Sequence, residues 1–179
     1  MTDYLEDFAS TAGPAALPPL GLTWGLKRSF ISYLSRLPDR AVSATRGASV
    51  IESSLFNFSP DGGTFDPQTG LGTMRFRGDV RLSGHYGMMF VHIADPWIEF
   101  AADHATFSIA KTQGLGSENP RLPLAMLDVA APTPAGGSYV WDGLPIALAP
   151  EGTSIFDDQY PAGQPMDPLF IRYPDPARG

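Results

Sequence analysis

The sequence predicts a mainly β protein, an antiparallel β-sandwich-like domain of about nine strands with two short α-helices. Three observations support that class. The 179 residues include 19 glycines and 18 prolines, spread along the chain rather than clustered, so the chain turns often. Between those turns lie short runs rich in β-branched and aromatic residues. Helical spacing of apolar residues is clear only near the N-terminus.

Residues 1–20 are acidic and then Ala- and Pro-rich (STAGPAALPPL), an N-terminal arm; residues 21–179 make the domain. Leu22 to Gly25 is an extended lead-in to the clear helix, which ends at Pro38-Asp39 because proline cannot continue it. Within LTWGLKRSFISYLSRL, Leu26, Phe30, Tyr33, Leu34 and Leu37 recur with helical spacing. They form an apolar stripe about 100° wide. Tyr33 lies at one border of the stripe, and Ser29, one turn earlier, lies just outside it with Arg36 nearby. Lys27 and Arg28 fall away from that border. A phenol flanked by a hydroxyl and a cation suits the wall of a pocket. It also suits a tyrosine packed on a sheet with its hydroxyl in water.

Beyond the helix the pattern is β. Ser49 to Phe58 reads as a strand, SPDGG turns the chain, and FDPQTG is a second turn cluster. Gly72 to Ser83 (GTMRFRGDVRLS) is the clearest strand. Met74, Phe76, Val80 and Leu82 share one face; Thr73, Arg75, Arg77, Asp79, Arg81 and Ser83 share the other. Gly78 marks a bulge or a close approach. Gly84-His85-Tyr86-Gly87 turns the chain into a return strand, Met88 to Ile93, and Asp95-Pro96 turns it again. Trp97 to Phe100 and Thr106 to Ala110 are short strands, followed by a polar loop at 112–121. Leu122 to Val129 and Ser138 to Leu148 are strands separated by APTPAGG. Pro150 to Asp158 suits a second short helix with proline near its start. A proline-rich loop leads to a closing strand, with Leu169, Ile171 and Tyr173 on one face. No internal repeat breaks the chain into further units.

Composition narrows the function. A net charge of −7 and no run of Lys and Arg longer than two argue against a nucleic-acid partner, because phosphate binding needs a basic surface. The chain has no cysteine, which excludes disulfides, thiolate metal sites and cysteine nucleophiles. No apolar run is long enough to span a membrane, and MTDYLEDFAS has no leader-like h-region. A cytoplasmic location follows if Met1 is the native start. His85, His92 and His104 lack the mutual spacing of a zinc site. His92 and His104 therefore read as structural or solvated, whereas glycines on both sides of His85 let its backbone approach something closely. Asp157-Asp158 reads as surface at a helix end. No phosphate loop or nucleophile elbow is present.

These segments together resemble the heme-transport-associated (HtaA-type) domain of actinobacterial heme-uptake proteins, from about Leu22 to Tyr173. LTWGLKRSFISY is similar to the family's opening motif and FDPQTGLGTMRFRGDVRLSGHYG to its central hairpin. ADPWIEF is similar to the strand that follows, and YVWDGLPIALAPEGTSIFDDQYPAGQPMDP to the closing segment. The resemblance implies a β-rich fold that binds one ferric heme b in a shallow pocket, for uptake, storage or relay rather than catalysis. It implies that Tyr33 ligates the iron, that His85 hydrogen-bonds the phenolate, that Tyr160 lines the pocket and that Ser29 meets a propionate. Tyrosinate is an established heme ligand, and a hydrogen bond to it tunes its basicity.

Heme and other heme-relay proteins are the expected partners, and a monomer or weak homodimer the expected assembly. Family members are mostly secreted or at the cell surface, commonly with a leader and a membrane anchor, neither of which is visible here. Gln159 stands where the family often has an aromatic residue, which thins one wall of the pocket. Two other readings stay open. A peroxidase- or catalase-like enzyme also uses heme, although no distal acid–base pair is designated. A β-sandwich interaction module would keep the fold without heme.

Overall fold

The computed structural model describes residues 17–111 and 121–178. The chain runs through β1 (Gly21–Trp24), α1 (Arg28–Ser35), β2 (Ala41–Thr45), β3 (Ala48–Ile51), β4 (Leu55–Gly63) and β5 (Gly72–Arg77). Next come β6 (Asp79–Gly84), a 3-10 turn (His85–Gly87), β7 (Met89–Ala94), β8 (Trp97–Phe100), β9 (Ala105–Ala110) and β10 (Arg121–Leu127). The last elements are β11 (Thr133–Ala135), β12 (Ser138–Leu148), a 3-10 segment (Pro150–Phe156), β13 (Pro165–Pro174) and a 3-10 turn (Pro176–Arg178). The expected arm and the polar loop at 112–121 lie mostly outside the described residues.

The mainly β, antiparallel class is present, and its larger sheet closes on itself. The order β1–β13–β12–β10–β9–β8–β5–β4 returns to β1 through a second β1–β4 pairing, so eight strands form a barrel. Short β3 adds to β4 and β11 to β12. Closure leaves those eight strands without the open edge that an isolated sheet would present. A separate sheet, β2–β6–β7, stands beside the barrel. Trp24, Phe58, Phe76 and Phe107 are fully buried, and Trp24 meets Phe107 edge-on at 5.2 Å. Among the described residues, no buried side-chain nitrogen or oxygen lacks a hydrogen-bond partner. No helix among them is long and apolar enough to cross a membrane.

Several elements differ from the sequence expectation for local reasons. Gly72 to Ser83 is two strands in two sheets rather than one. Gly78 has φ +152°, and a Cβ there would lie 2.6 Å from the Ala48 Cβ and 2.8 Å from the Phe58 ring. The alternation carries across this break, so Met74, Phe76, Val80 and Leu82 are all buried. SPDGG does not end its strand. β4 continues to Gly63, and a register shift between Pro60 and Gly63 absorbs the turn-forming glycines. The second helix is 3-10 in type. The strands β2 and β11 are short and largely exposed, and so carry little apolar pattern to read.

Asp79, expected on the polar face, is only 7% exposed. Its carboxylate bonds Arg81 Nε at 2.9 Å and His92 Nε2 at 2.9 Å. Burial pushes the Asp79 pKa up, but the two partners outweigh that and hold it below the ordinary value. His92 thus sits in a structural pair, and His104 bonds its neighbour Asp103 on the surface.

Candidate functional site

The site begins with the way α1 is hung between barrel and small sheet. Leu26 has φ +57°, which turns the chain sharply out of β1. Asp167 on β13 fastens that corner: its N–H bonds Leu26 O at 2.9 Å and its Oδ1 accepts the Arg28 N–H at 3.1 Å. On the helix, Phe30 and Leu34 turn inward and are buried. Tyr33 stays at the border of that stripe and is 47% exposed. Ser29 is also exposed, so the border inferred from helical spacing is a true boundary between core and solvent.

The other wall comes from the turn after β6. Gly84 ends that strand where a Cβ would lie 2.5 Å from Leu37 Cδ1 and 3.5 Å from Leu34 Cδ1. The close approach anticipated at the glycine-bracketed histidine is therefore an approach to the α1 segment. It brings His85 to the helix: His85 Nε2 and Tyr33 Oη share a short hydrogen bond, with ring centroids 5.7 Å apart. His85 and Tyr86 both have left-handed backbone, at φ +50° and +56°. Asp39 accepts the Tyr86 N–H at 2.5 Å. That hydrogen bond holds the Asp39 carboxyl below the ordinary carboxylate range.

Between these walls lies a cavity of about 820 Å³. Ser29, Tyr33, His85 and Tyr160 all border it, so the four residues singled out from sequence are brought together. Tyr160 is braced by Phe156, which meets it edge-on at 5.8 Å and in turn meets Phe30 at 5.9 Å. Lys27 Nζ stands 5.7 Å from the Tyr160 ring centroid, a cation–π contact at the edge of the site. Gln159 and Asp157 line the cavity, and Asp157 is on the surface as expected, at this rim.

Sequence reasoning did not single out Met88, Met89, Phe90 and Val91, which supply much of the apolar lining. Their signal was there, as an apolar strand directly after the GHYG turn. It was indistinguishable from core until the sheet's position was known. Asp39 was read only as the end of a helix. Nothing local marks it, because its partner lies 47 residues away.

The Htaa family matches residues 20–172 of the chain. The fold is similar to solved structures from Corynebacterium glutamicum. With the C-terminal domain of HtaA the identity is 22% over 84% of this chain and 94% of that one, at a TM-score of 0.64. The N-terminal domain of HtaA gives 20%, 85%, 95% and 0.66 in the same order, and the heme binding protein HtaB gives 14%, 84%, 90% and 0.62. No curated protein matches the chain. At such identities the structural likeness speaks to fold alone, whereas the family match spans most of the sequence. The chain belongs to the HtaA family.

Proposed function

We propose that the protein binds one ferric heme b as cargo, with Tyr33 as the iron ligand, and takes it up, stores it or relays it. The observation that carries this reading is the Tyr33–His85 hydrogen bond at the edge of an apolar-walled cavity of about 820 Å³. A bare metal ion calls for a cluster of protein ligands. Among the described residues no group of three or more His, Cys, Asp or Glu side chains can hold one. The Tyr33 phenol, paired with His85 beside Met88, Met89 and Phe90, suits a metal already held in a flat organic ring. The volume also falls in the range of about 300–1,000 Å³ usual for small-molecule pockets. Heme would supply an iron that needs little more from the protein than one ligating oxygen, and Tyr33 would hold it.

The chain's own residues supply the rest. Tyr33 must give up its phenol proton to serve as a hard anionic ligand, the type that favours ferric iron. His85 Nε2, already bonded to Tyr33 Oη, is within reach to take that proton and then donate back to the phenolate. In this reading Ser29, on the rim, bonds a propionate and Tyr160 covers part of the ring. Half exposure of Tyr33 supports exchange over permanent retention, which fits a carrier. The membership in the HtaA family and the likeness to a heme binding protein of the same fold support the same reading. A monomer or weak homodimer that passes heme to relay proteins is the assembly we expect.

Hemin titration followed by absorption tests the proposal. Wild type should take up one equivalent with a high-spin, oxygen-ligated ferric spectrum. Tyr33→Phe should lose stable capture while keeping its thermal stability, because the ring still packs. Hemin binding by Tyr33→Phe at wild-type affinity, or a low-spin bis-histidine spectrum, would overturn Tyr33 as the ligand.

A further inference from the structure

We infer that Asp39 is a positioning residue for the Tyr33–His85 pair: its carboxylate clamps the left-handed turn that carries His85 to the segment that carries Tyr33. The turn needs such a clamp. His85 and Tyr86 are consecutive non-glycine residues at φ +50° and +56°, a conformation that persists only where the surroundings enforce it. Apart from the His85–Tyr33 bond, the turn's side chains do not enforce it. Tyr86 is 95% exposed and Met88 84% exposed, so neither anchors the loop in a core. What holds the loop is main-chain bonding. Asp39 Oδ2 takes the Tyr86 N–H at 2.5 Å. Met88 N–H closes the turn on His85 O at 3.0 Å.

Asp39 follows α1 directly, and the residues around it are tied back to the end of the helix. The chain leaving the helix is tied by Leu37 N–H to Leu34 O at 3.0 Å, and Arg40 Nη1 bonds Leu37 O at 3.1 Å. Helix and turn therefore meet at two points: Tyr33 Oη on His85 Nε2, and Asp39 Oδ2 on Tyr86 N. One bond alone leaves the imidazole free to pivot with its loop. Two bonds from one rigid segment define where Nε2 sits. Gly84, pressed against Leu37, completes the seat.

The consequence for heme rests on the proposed function, and the test separates the two. Asp39→Ala, Asp39→Asn, His85→Ala and the Asp39→Ala/His85→Ala double variant are compared by two readouts. The first is the His85 ring nitrogen resonances and Tyr86 amide exchange in the heme-free protein. The second is the rate of hemin loss to an excess of a tight hemin scavenger. In Asp39→Ala the His85 ring resonances should move and the Tyr86 amide should exchange faster. Hemin loss should quicken about 10-fold, the lower end of what supporting groups around a metal ligand contribute. Asn keeps an acceptor oxygen for the Tyr86 N–H and should restore most of both signals. In the His85→Ala background, removing Asp39 should change hemin loss by less than about 2-fold, because the two act through one group. Unmoved His85 resonances in Asp39→Ala, or losses that simply add in the double variant, would overturn the inference. Moved resonances with unaltered hemin loss would uphold Asp39 and instead defeat Tyr33–His85 as the heme site.

Discussion

In the closed barrel, Trp24, Phe58, Phe76 and Phe107 are fully buried, whereas beside the β2–β6–β7 sheet Tyr33, Tyr86, Met88 and Phe90 stand open to solvent. The barrel has no open edge among its eight strands, and its aromatic rings pack on one another, Trp24 edge-on to Phe107 and Phe100 stacked on Trp141. The small sheet has two open edges, a glycine seat for the helix, and a turn held in a conformation that non-glycine residues avoid. The contrast teaches where each kind of cost is borne. Strain and exposed apolar surface at the site stand beside a core to which both sheets contribute, with Val80, Leu82, Val91 and Ile93 of the small sheet buried in it.

The sharpest way to break that comparison is to cut into the barrel. Phe58→Ala should cost about 3–5 kcal/mol, read from denaturant unfolding, because a fully buried ring leaves a cavity. Hemin affinity of the protein that remains folded should be close to wild type. A variant that keeps its stability but loses hemin would show that the barrel is part of the site.

On the other side, His85→Ala should weaken hemin binding about 10- to 100-fold by removing a hydrogen bond to the ligand oxygen. Its unfolding midpoint should barely move, since His85 is exposed. A large drop in stability would erase the division between the two regions.

Asp79→Asn probes the small sheet's own cohesion and should cost about 1–3 kcal/mol at neutral pH, the worth of hydrogen bonds to a charged group. Arg81 is half exposed, so solvent screens its share. The folded-state pKa of Asp79 lies below its ordinary value of 3.8. The contribution is therefore complete above that value and is lost as pH falls through the folded-state value. Stability curves of wild type and Asp79→Asn should converge in acid. Curves that stay parallel down to acid pH would show that the Asp79 carboxylate adds nothing as a charge.

Much of this was legible along the chain, where the signal is a period. Helical spacing put Tyr33 and Ser29 on the border of a stripe, and both are exposed beside buried Phe30 and Leu34, although the helix itself is shorter than that stripe and leaves Leu26 and Leu37 outside it. Alternation likewise marked Met74, Phe76, Val80 and Leu82, as well as Leu169, Ile171 and Tyr173, all of them buried. The gathering of Ser29, Tyr33, His85 and Tyr160 was expected through the family resemblance and not through spacing, since Tyr33 and His85 are 52 residues apart.

What the sequence by itself determined is local: which faces are apolar, where the chain must turn, and which side chains stand at the edge of a helix. Those follow from backbone periods of 3.6 and 2 and from glycine and proline chemistry, which act over a few residues. Only the tertiary structure decided that the strand through Gly78 splits between two sheets, that β4 returns to β1 to close a barrel, and that Asp79 is buried. It alone placed Asp39 on the Tyr86 N–H. Each of these is a contact between segments distant along the chain, and their partners are selected by which surfaces remain unpaired once the core has packed, a condition no local pattern encodes.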